Sequence, residues 1–203
     1  MIPAVPSPPL EHEPPRAEFR LETERLVLRD WHEPDWPIFW RHTNTPAVMR
    51  WLGGVADEAG MAQGRGRIEA CRREHGHTFW VVERKPDGGV LAGKLIGFCG
   101  LKRANQQGGP VGDFEIGWRL REDAWGLGYA REAAEAAMAA GFETFGAPHM
   151  IALTVEGNSP SWGLMRRLGM RRRPELDFPS TDFEPAGGTI IGYSISRDEW
   201  AAR

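Results

Sequence analysis

The chain has 203 residues and a formal net charge of −3 at pH 7. A chain of this length can bury about 70% of the surface that it exposes when unfolded, so one core is enough and a second domain is not expected. The weakly acidic balance argues against nonspecific nucleic-acid binding, which needs a broad basic surface. Two widely separated cysteines indicate neither a disulfide framework nor a zinc site, so we expect a reducing compartment and no bound metal.

The N-terminal segment differs in composition from the rest of the chain. Residues 1–15 are dense in proline and lack apolar periodicity, so we expect residues 1–18 to be a disordered extension and residues 19–203 to be a single domain. No apolar run is long enough to cross a membrane, and the start lacks the charged-then-apolar order of a signal peptide. We therefore expect a cytoplasmic protein that does not bind membranes.

Strand patterns dominate the first half of the chain, and helices interleave after it. Apolar periodicity and turn residues predict, in order, a strand at Arg25–Asp30, helices at about Pro34–Thr43 and Gly60–His75, and strands at Thr78–Glu83 and Leu95–Leu101. Later runs predict strands at Met150–Val155, near Met170–Arg173 and at Thr189–Ser196. The fold class is therefore α/β, a mixed and mainly antiparallel sheet flanked by helices on both faces, which opens between the strands containing Glu115 and Leu153.

A strand, a glycine-rich turn and a helix follow one another between Phe114 and Phe145. Apolar and polar residues alternate along Phe114–Leu120, and Gly117 marks a bulge or a close approach by a ligand or another backbone. Gly126 and Gly128 then allow a tight turn before an alanine-rich helix whose first amides lack intrahelical partners. Each charge-assisted amide bond is worth about 1.5–3 kcal/mol and the helix dipole only about 0.3–1, so converging amides would dominate anion binding. The spacing matches neither a P-loop nor a dinucleotide fingerprint.

The chain resembles the GNAT superfamily of acetyltransferases, and within it the branch that includes the ribosomal-protein N-terminal (alanine and serine) acetyltransferases. Three segments carry the resemblance, which covers about Phe19–Ser196: Thr23–Arg29 with Asp35 and Val48–Gly53, then Phe114–Ala133, then Asn158–Met170. The resemblance implies the GNAT acyl-CoA N-acyltransferase fold, acetyl-CoA as cosubstrate, and a primary amine as acceptor, either a protein N-terminus or a small molecule. Homodimerisation is a family-level expectation.

The resemblance also implies how the chain would hold acetyl-CoA. Backbone amides would bind its pyrophosphate, and they belong to Trp125, Gly126, Leu127, Gly128, Tyr129, Ala130 and Arg131. The main chain of Trp118, Arg119 and Leu120 would pair with the pantetheine arm, and Asn158 would hydrogen-bond the same arm. Trp125 stands where most of the superfamily has Arg or Gln, a departure that is common in the ribosomal-protein-like branch.

Two side chains are candidates for the chemistry of thioester aminolysis. Glu115 is the candidate general base, because aromatic neighbours would desolvate it and raise its pKa; the alternative is a surface carboxylate on the solvent face of the strand. Ser161 matches a serine of the ribosomal-protein-like branch and would hydrogen-bond the coenzyme sulfur; the alternative is a serine that stabilises the helix N-terminus. Met165 occupies the position at which many family members carry a tyrosine for the leaving thiolate.

Loss of that tyrosine favours a second hypothesis, a noncatalytic module that retains the fold and the coenzyme site but acts as a sensor or scaffold. The glycine turn, Asn158, Ser161 and Glu115 favour the enzyme. By resemblance, residues 41–67 and the loop Asp177–Gly188 would shape the acceptor site, in which tryptophans serve either as walls or as core. The acidic loop residues would attract a cation or simply be solvated, and Arg171–Arg173 is expected to be a solvated cap.

Overall fold

A computed structural model describes residues 17–180 and 188–203. Nearly all of the predicted N-terminal extension, together with Asp182 and Glu184 of the predicted acidic loop, lies outside the described residues. The extension therefore stays a prediction.

The described residues form eight strands and six α-helices. The strands are β1 (Arg20–Glu22), β2 (Leu26–Arg29), β3 (Phe79–Arg84), β4 (Leu95–Arg103), β5 (Phe114–Leu120), β6 (His149–Val155), β7 (Arg171–Ser180) and β8 (Gly188–Ser196). The helices are α1 (Asp35–Thr43), α2 (Pro46–Met49), α3 (Glu58–His75), α4 (Tyr129–Glu143), α5 (Ser159–Arg167) and α6 (Arg197–Ala201), and a 3-10 turn covers Glu122–Ala124. None of these helices combines the length and the apolar character needed to cross a bilayer.

One mixed sheet contains all eight strands, in the order β1-β2-β3-β4-β5-β6-β8-β7. Every neighbouring pair is antiparallel except β5 and β6. These two parallel strands share a single register pair, Glu115 with Ile151, and then diverge toward their C-terminal ends. The predicted mixed, mainly antiparallel sheet is confirmed, and its opening lies between β5 and β6 as expected.

Helices cover both faces of this sheet, as predicted. On one face, Ala133, Ala137 and Met138 of α4 join Leu164 and Met165 of α5 in the larger apolar core. On the other face, Trp36 and Phe39 of α1 pack with Ile68 of α3 in a second cluster. The two clusters fix the sheet between two helical layers.

The C-terminal end of α4 approaches the sheet very closely. A Cβ added at Gly141 would lie 2.1 Å from the Met150 methyl carbon of β6 and 2.9 Å from Leu101 of β4. Only a residue without a side chain fits at such a distance. Gly141 therefore sets how closely this end of α4 lies to β4 and β6.

The predicted strand near Met170–Arg173 exists as β7, which has 10 residues, more than twice the expected length. Arg171–Arg173 therefore belong to a strand and do not form the expected solvated cap. Arg173 donates from Nε to Ser194 Oγ at 2.9 Å, and Arg171 pairs with Glu199 at 3.2 Å. The register with β8 shifts between Arg173 and Phe178. A proline and several charges in this stretch hide the strand from a pattern search, because pairing with β8 overrides local propensity.

Candidate active site

The turn between β5 and α4 has the predicted left-handed glycines. Gly126 and Gly128 have φ values of +73° and +81°, which residues with a Cβ adopt only at a cost. A Cβ added at Gly126 would meet nothing within 4 Å. The turn therefore needs this glycine for backbone conformation, and the space beside it is open to a ligand.

Six consecutive amides around this turn have no acceptor. The first helical bond of α4 runs from Glu132 N to Gly128 O at 3.1 Å, and within the described chain the amides of residues 126–131 donate to neither backbone nor side chain. The Trp125 amide does not join them, since it donates to Glu122 O at 3.0 Å. The predicted set of seven donors is thus reduced to six, a concentration of unpaired N–H groups that suits an anion.

A half-buried carboxylate fastens this turn to the first hairpin of the sheet. Glu132 accepts hydrogen bonds from Thr23 Oγ1 at 2.6 Å, from Arg25 N at 2.8 Å and from Arg25 Nε at 2.7 Å. Arg25 also donates from Nη1 to Leu127 O at 3.0 Å. Burial alone would raise the pKa of Glu132, but the bonds from Thr23 and Arg25 outweigh it and hold the pKa below its ordinary value. The shape of the turn therefore depends on residues more than 100 positions away in sequence.

Tyr129 contributes its amide to the turn, while its phenol is part of the fold. The hydroxyl donates to Val90 O at 3.1 Å, and the buried ring lies beneath the guanidinium groups of Arg25 and Arg84, 4.7 and 5.0 Å from its centroid. The other phenol, that of Tyr193, is buried in the larger core. Both phenols therefore have structural positions in the fold.

Strand β5 presents a free backbone edge next to the turn. Trp118, Arg119 and Leu120 pair with β4 on one side, whereas beyond Glu115 the other edge has no strand partner among the described residues. Half of the main-chain groups of such an edge strand are available to a ligand. This is the edge predicted to pair with the pantetheine arm.

The glycine within β5 receives a neighbouring side chain. The register between β4 and β5 is continuous through Gly117, so the strand contains no bulge there. A Cβ at this position would lie 2.9 Å from the Phe79 ring of β3. The expected close approach at Gly117 therefore exists, but the group that approaches is the aromatic ring of Phe79 and not a ligand or another backbone.

Glu115 is buried on the face of the sheet that carries α1. Only 9% of its side chain is exposed, and its Oε2 lies 3.0 Å from Lys102 Nζ and 3.3 Å from Gln106 Nε2. Burial raises the pKa of this carboxyl, and the Lys102 cation opposes part of that rise. The alternative of a solvent-facing carboxylate is therefore wrong. Phe114 and Trp118, the expected desolvating neighbours, instead point to the α4 face of the strand.

Asn158 and Ser161 lie at the start of α5, across the opening from β5. Asn158 is the N-cap by position, yet its side chain makes no capping bond and donates instead to Thr154 Oγ1 at 3.0 Å. Ser161 is half-buried, and its hydroxyl has no partner among the described residues, so no hydrogen bond supports the helix-stabilising alternative. Met165 is buried in the core. Asn158 and Ser161 thus follow β6, the strand that diverges from β5.

Only some of the tryptophans expected at the acceptor site lie outside the core. Trp36 and Trp80 are core residues with 5% and 0% exposure, whereas Trp51 lies over the loop after β6, where a Cβ at Gly157 would be 2.7 Å from its ring. Asp177 is bound by Arg172 and by Gly192 N, so it is not a free loop carboxylate. Trp51 therefore packs against the loop that joins β6 to α5.

The histidines and cysteines form no second site in the part of the chain that the structure describes. His77 is buried beside Leu101 O at 3.1 Å, and burial lowers its pKa to about 4. Cys71 and Cys99 are free thiols. Throughout residues 17–180 and 188–203, no group of three or more potential ligands is placed to hold a metal ion.

Sequence reasoning missed the residues that support the site. Lys102, Gln106, Arg25 and Glu132 lack a local motif, because each acts on a partner in another element. Hairpin register is the one signal that pairs Lys102 with Glu115, since their strands run antiparallel with a short connection.

Known proteins share this arrangement. A family model described as an acetyltransferase (GNAT) domain matches residues 25–171. The chain is 28% identical over 155 residues to the Bacillus subtilis (strain 168) protein called uncharacterized N-acetyltransferase YnaD, covering 76% of this chain and 84% of that relative. The crystal structure of an acetyltransferase from Agrobacterium tumefaciens str. C58 superposes with a TM-score of 0.72 and 26% identity, over 95% of this chain and all of that one (100%).

A ribosomal-protein-S5-alanine acetyltransferase from Vibrio fischeri is similar in fold. Its structure gives a TM-score of 0.69 at 17% identity, over 90% of this chain and 98% of that one. The family model spans well over half of the chain, and it covers the turn, the free edge of β5 and Asn158. The chain therefore belongs to the GNAT family and is an acetyl-CoA-dependent acetyltransferase.

Proposed function

We propose that the protein transfers the acetyl group of acetyl-CoA to a primary amine, at a protein N-terminus or on a small molecule, by direct attack of the amine on the thioester. The observation that supports this proposal most is the run of six unpaired amides at residues 126–131. It adjoins a free strand edge that leads to the buried carboxylate of Glu115.

The residues present fit the parts of acetyl-CoA. The six amides suit the pyrophosphate, and the open space at Gly126 leaves room for it. The edge of Trp118–Leu120 offers main-chain donors and acceptors to the amides of the pantetheine arm, and Asn158 stands across the opening. When bound, acetyl-CoA supplies an acetyl thioester, so that attack by an amine yields an amide and a free thiol.

Glu115 is the proposed general base for the attacking amine. Lys102 and Gln106 both bind Oε2, so Oε1 remains available to accept a proton, either directly or through a water. The raised pKa brings this carboxyl closer to neutral pH, where a base that must remove a proton works best. Its protonated form cannot act, so the rate should fall as pH drops through that pKa.

Ser161 is the proposed hydrogen-bond donor to the coenzyme sulfur. Its hydroxyl has no partner among the described residues, and α5 places it at the mouth of the opening. The buried thioether of Met165 has no proton to give. The presence of Met165 in place of the usual tyrosine is also the observation that favours a noncatalytic sensor or scaffold.

Thiol release from acetyl-CoA, measured with a panel of primary amines and N-terminal peptides, tests the proposed function. Glu115→Gln should lower kcat by roughly 100- to 10,000-fold and remove the acid limb of the pH profile. Glu83→Gln, a matched control whose carboxylate pairs with Arg29 at 3.0 Å on the same sheet, should leave both unchanged. An unchanged pH profile in Glu115→Gln would remove this residue from the mechanism.

Calorimetry with CoA separates the two candidate functions. Binding without turnover across a broad panel would support the noncatalytic module. Absence of CoA binding by folded protein would contradict both.

A further inference from the structure

Arg119 has an unusual environment for a guanidinium group. Its Cζ lies 4.6 Å from the ring centroid of Phe39, 5.0 Å from Trp40 and 5.2 Å from Phe98. The one atom that accepts a hydrogen bond from its side chain, among the described residues, is Met49 Sδ, 3.0 Å from Nη1. A thioether is a weak acceptor, so this cation is held by aromatic faces and has no counter-ion within residues 17–180 and 188–203.

Its donors are unsatisfied as well. Nε is buried and has no acceptor in the part of the chain that the structure describes. Burial, and to a smaller extent the neighbouring Arg67 cation, lower the pKa of Arg119 to about 10. A buried charge without a partner is costly unless something else compensates it.

Two other arginines show that an unpaired guanidinium is not the rule in the protein. Half-buried Arg29 pairs with Asp35 at 2.7 Å, and buried Arg84 pairs with Asp87 at the same distance. Both guanidinium groups therefore keep a carboxylate within direct contact. Arg119 is half-buried like Arg29, but no carboxylate of the described residues pairs with it.

Arg119 lies on the same strand as the proposed base, Glu115. Arg119 and Glu115 lie four residues apart on β5, so their side chains share one face of the strand at a Cα separation of about 13 Å. That face carries α1 and α2, whereas α4 covers the other. The proposed base and the unpaired cation thus face the same side of the opening.

We propose that Arg119 binds a carboxylate of the amine acceptor, so that the acceptor class is amines that carry an acidic group. The proposal rests on the proposed acetyl transfer. The incoming carboxylate takes the place of the Met49 thioether at Nη1, which a flexible methionine side chain permits, and the bidentate donor pair of the guanidinium orients it. The aromatic rings of Phe39 and Trp40 hold the guanidinium plane in place.

Matched acceptors test the proposal. Peptides that differ only by Asp or Asn beside the N-terminal residue, and free amino acids against their amides, distinguish a side-chain carboxylate from an α-carboxylate. The acidic member of at least one series should have a kcat/KM that is roughly 10- to 100-fold higher, as expected for a charge-assisted hydrogen bond.

Variants of Arg119 test whether this residue causes the preference for acidic acceptors. Arg119→Met should remove it, mainly through KM of the acidic member, so that the ratio of kcat/KM between the acidic and the neutral member falls to about one. Arg119→Lys, which keeps the charge but not the planar fork, should retain part of it and serves if the methionine variant does not fold. Arg203→Met is the matched control, because Arg203 also stacks on a ring, that of Trp200 at 4.6 Å, away from the opening.

The outcomes separate this proposal from the proposed function. Turnover without any acidic preference would overturn the acceptor assignment and leave acetyl transfer standing. Equal losses for acidic and neutral acceptors in the Arg119 variants, or an unchanged preference, would show that the residue is structural. Absence of turnover with every amine would overturn both proposals.

Discussion

Replacing Glu132 by glutamine removes one charge from the support of the coenzyme turn and preserves the size of the side chain. The variant keeps one acceptor oxygen for Thr23 but loses the ion pair with Arg25 Nε, which is 2.7 Å long in the wild type. A hydrogen bond to a charged group is worth about 1.5–3 kcal/mol. Because 36% of the Arg25 side chain is exposed, solvent screening reduces this to about 1–2 kcal/mol.

Two effects on CoA affinity then compete in the variant. Removal of a negative charge near the proposed phosphate site would strengthen binding, whereas loss of the Arg25 anchor would misalign the turn through Leu127 O. Glu135→Gln makes the same change of charge one turn along α4, where the pair with Arg131 is exposed. The difference between the two variants therefore isolates the hydrogen bonds from the charge.

We expect Glu132→Gln to lower the melting temperature by about 2–8 °C and to weaken CoA binding by roughly tenfold, the equivalent of one misaligned amide bond. Glu135→Gln should change the free energy of unfolding by less than about 0.5 kcal/mol and should not weaken CoA binding, because it removes the same charge without the anchor. Urea denaturation and titration calorimetry supply both quantities. If the two variants bind CoA equally well, Glu132 does not support the turn and the reasoning is refuted.

Three further predictions concern other parts of the fold. Lys102→Met removes the cation that opposes the raised pKa of Glu115, so the acid limb of the kcat profile should move to higher pH; an unmoved limb would disconnect the pair from catalysis. For His77, whose pKa falls from 6.5 to about 4 on folding, the unfolded state takes up the proton first, so stability should fall by up to about 3 kcal/mol as pH drops through that window. His77→Gln should remove this part of the slope in urea titrations, and an unchanged slope would contradict it. Gly141→Ala should destabilise the protein by about 1–3 kcal/mol, because the added Cβ would lie 2.1 Å from Met150. Gly66→Ala, whose added Cβ meets nothing within 4 Å, should stabilise it by about 0.5–1 kcal/mol. If both variants change the free energy of unfolding in the same direction, the packing argument is refuted.

Local patterns predict the centre of the fold well. Strand β5 alternates over its length, and the turn after it needs left-handed backbone at two glycines, so sequence spacing alone locates the strand, the turn and the start of α4. The two faces of β5 follow from the same alternation. Short elements such as β1 and α6 escape prediction because three to five residues carry too little periodicity.

Long-range contacts are what the patterns do not show. The Trp125 amide is used by the 3-10 turn before it, a detail that depends on the exact path of four residues. Glu132 and Arg25 are separated by 107 positions, and neither stands in a pattern that names the other. The resemblance marks both neighbourhoods, yet the hydrogen bonds between them require the folded chain.

The two charged residues of β5, Glu115 and Arg119, show what folding adds to a sequence pattern. Alternation along β5 puts Glu115 and Arg119 on one face, and it treats them alike. The structure gives Glu115 a cation at 3.0 Å and leaves one carboxylate oxygen available, while it gives Arg119 aromatic rings and a thioether. A paired carboxylate with a raised pKa suits proton removal, and an unpaired cation suits the capture of an anion. The different partners therefore support different roles, a base for the amine and a binding residue for its acidic substituent, on a single strand.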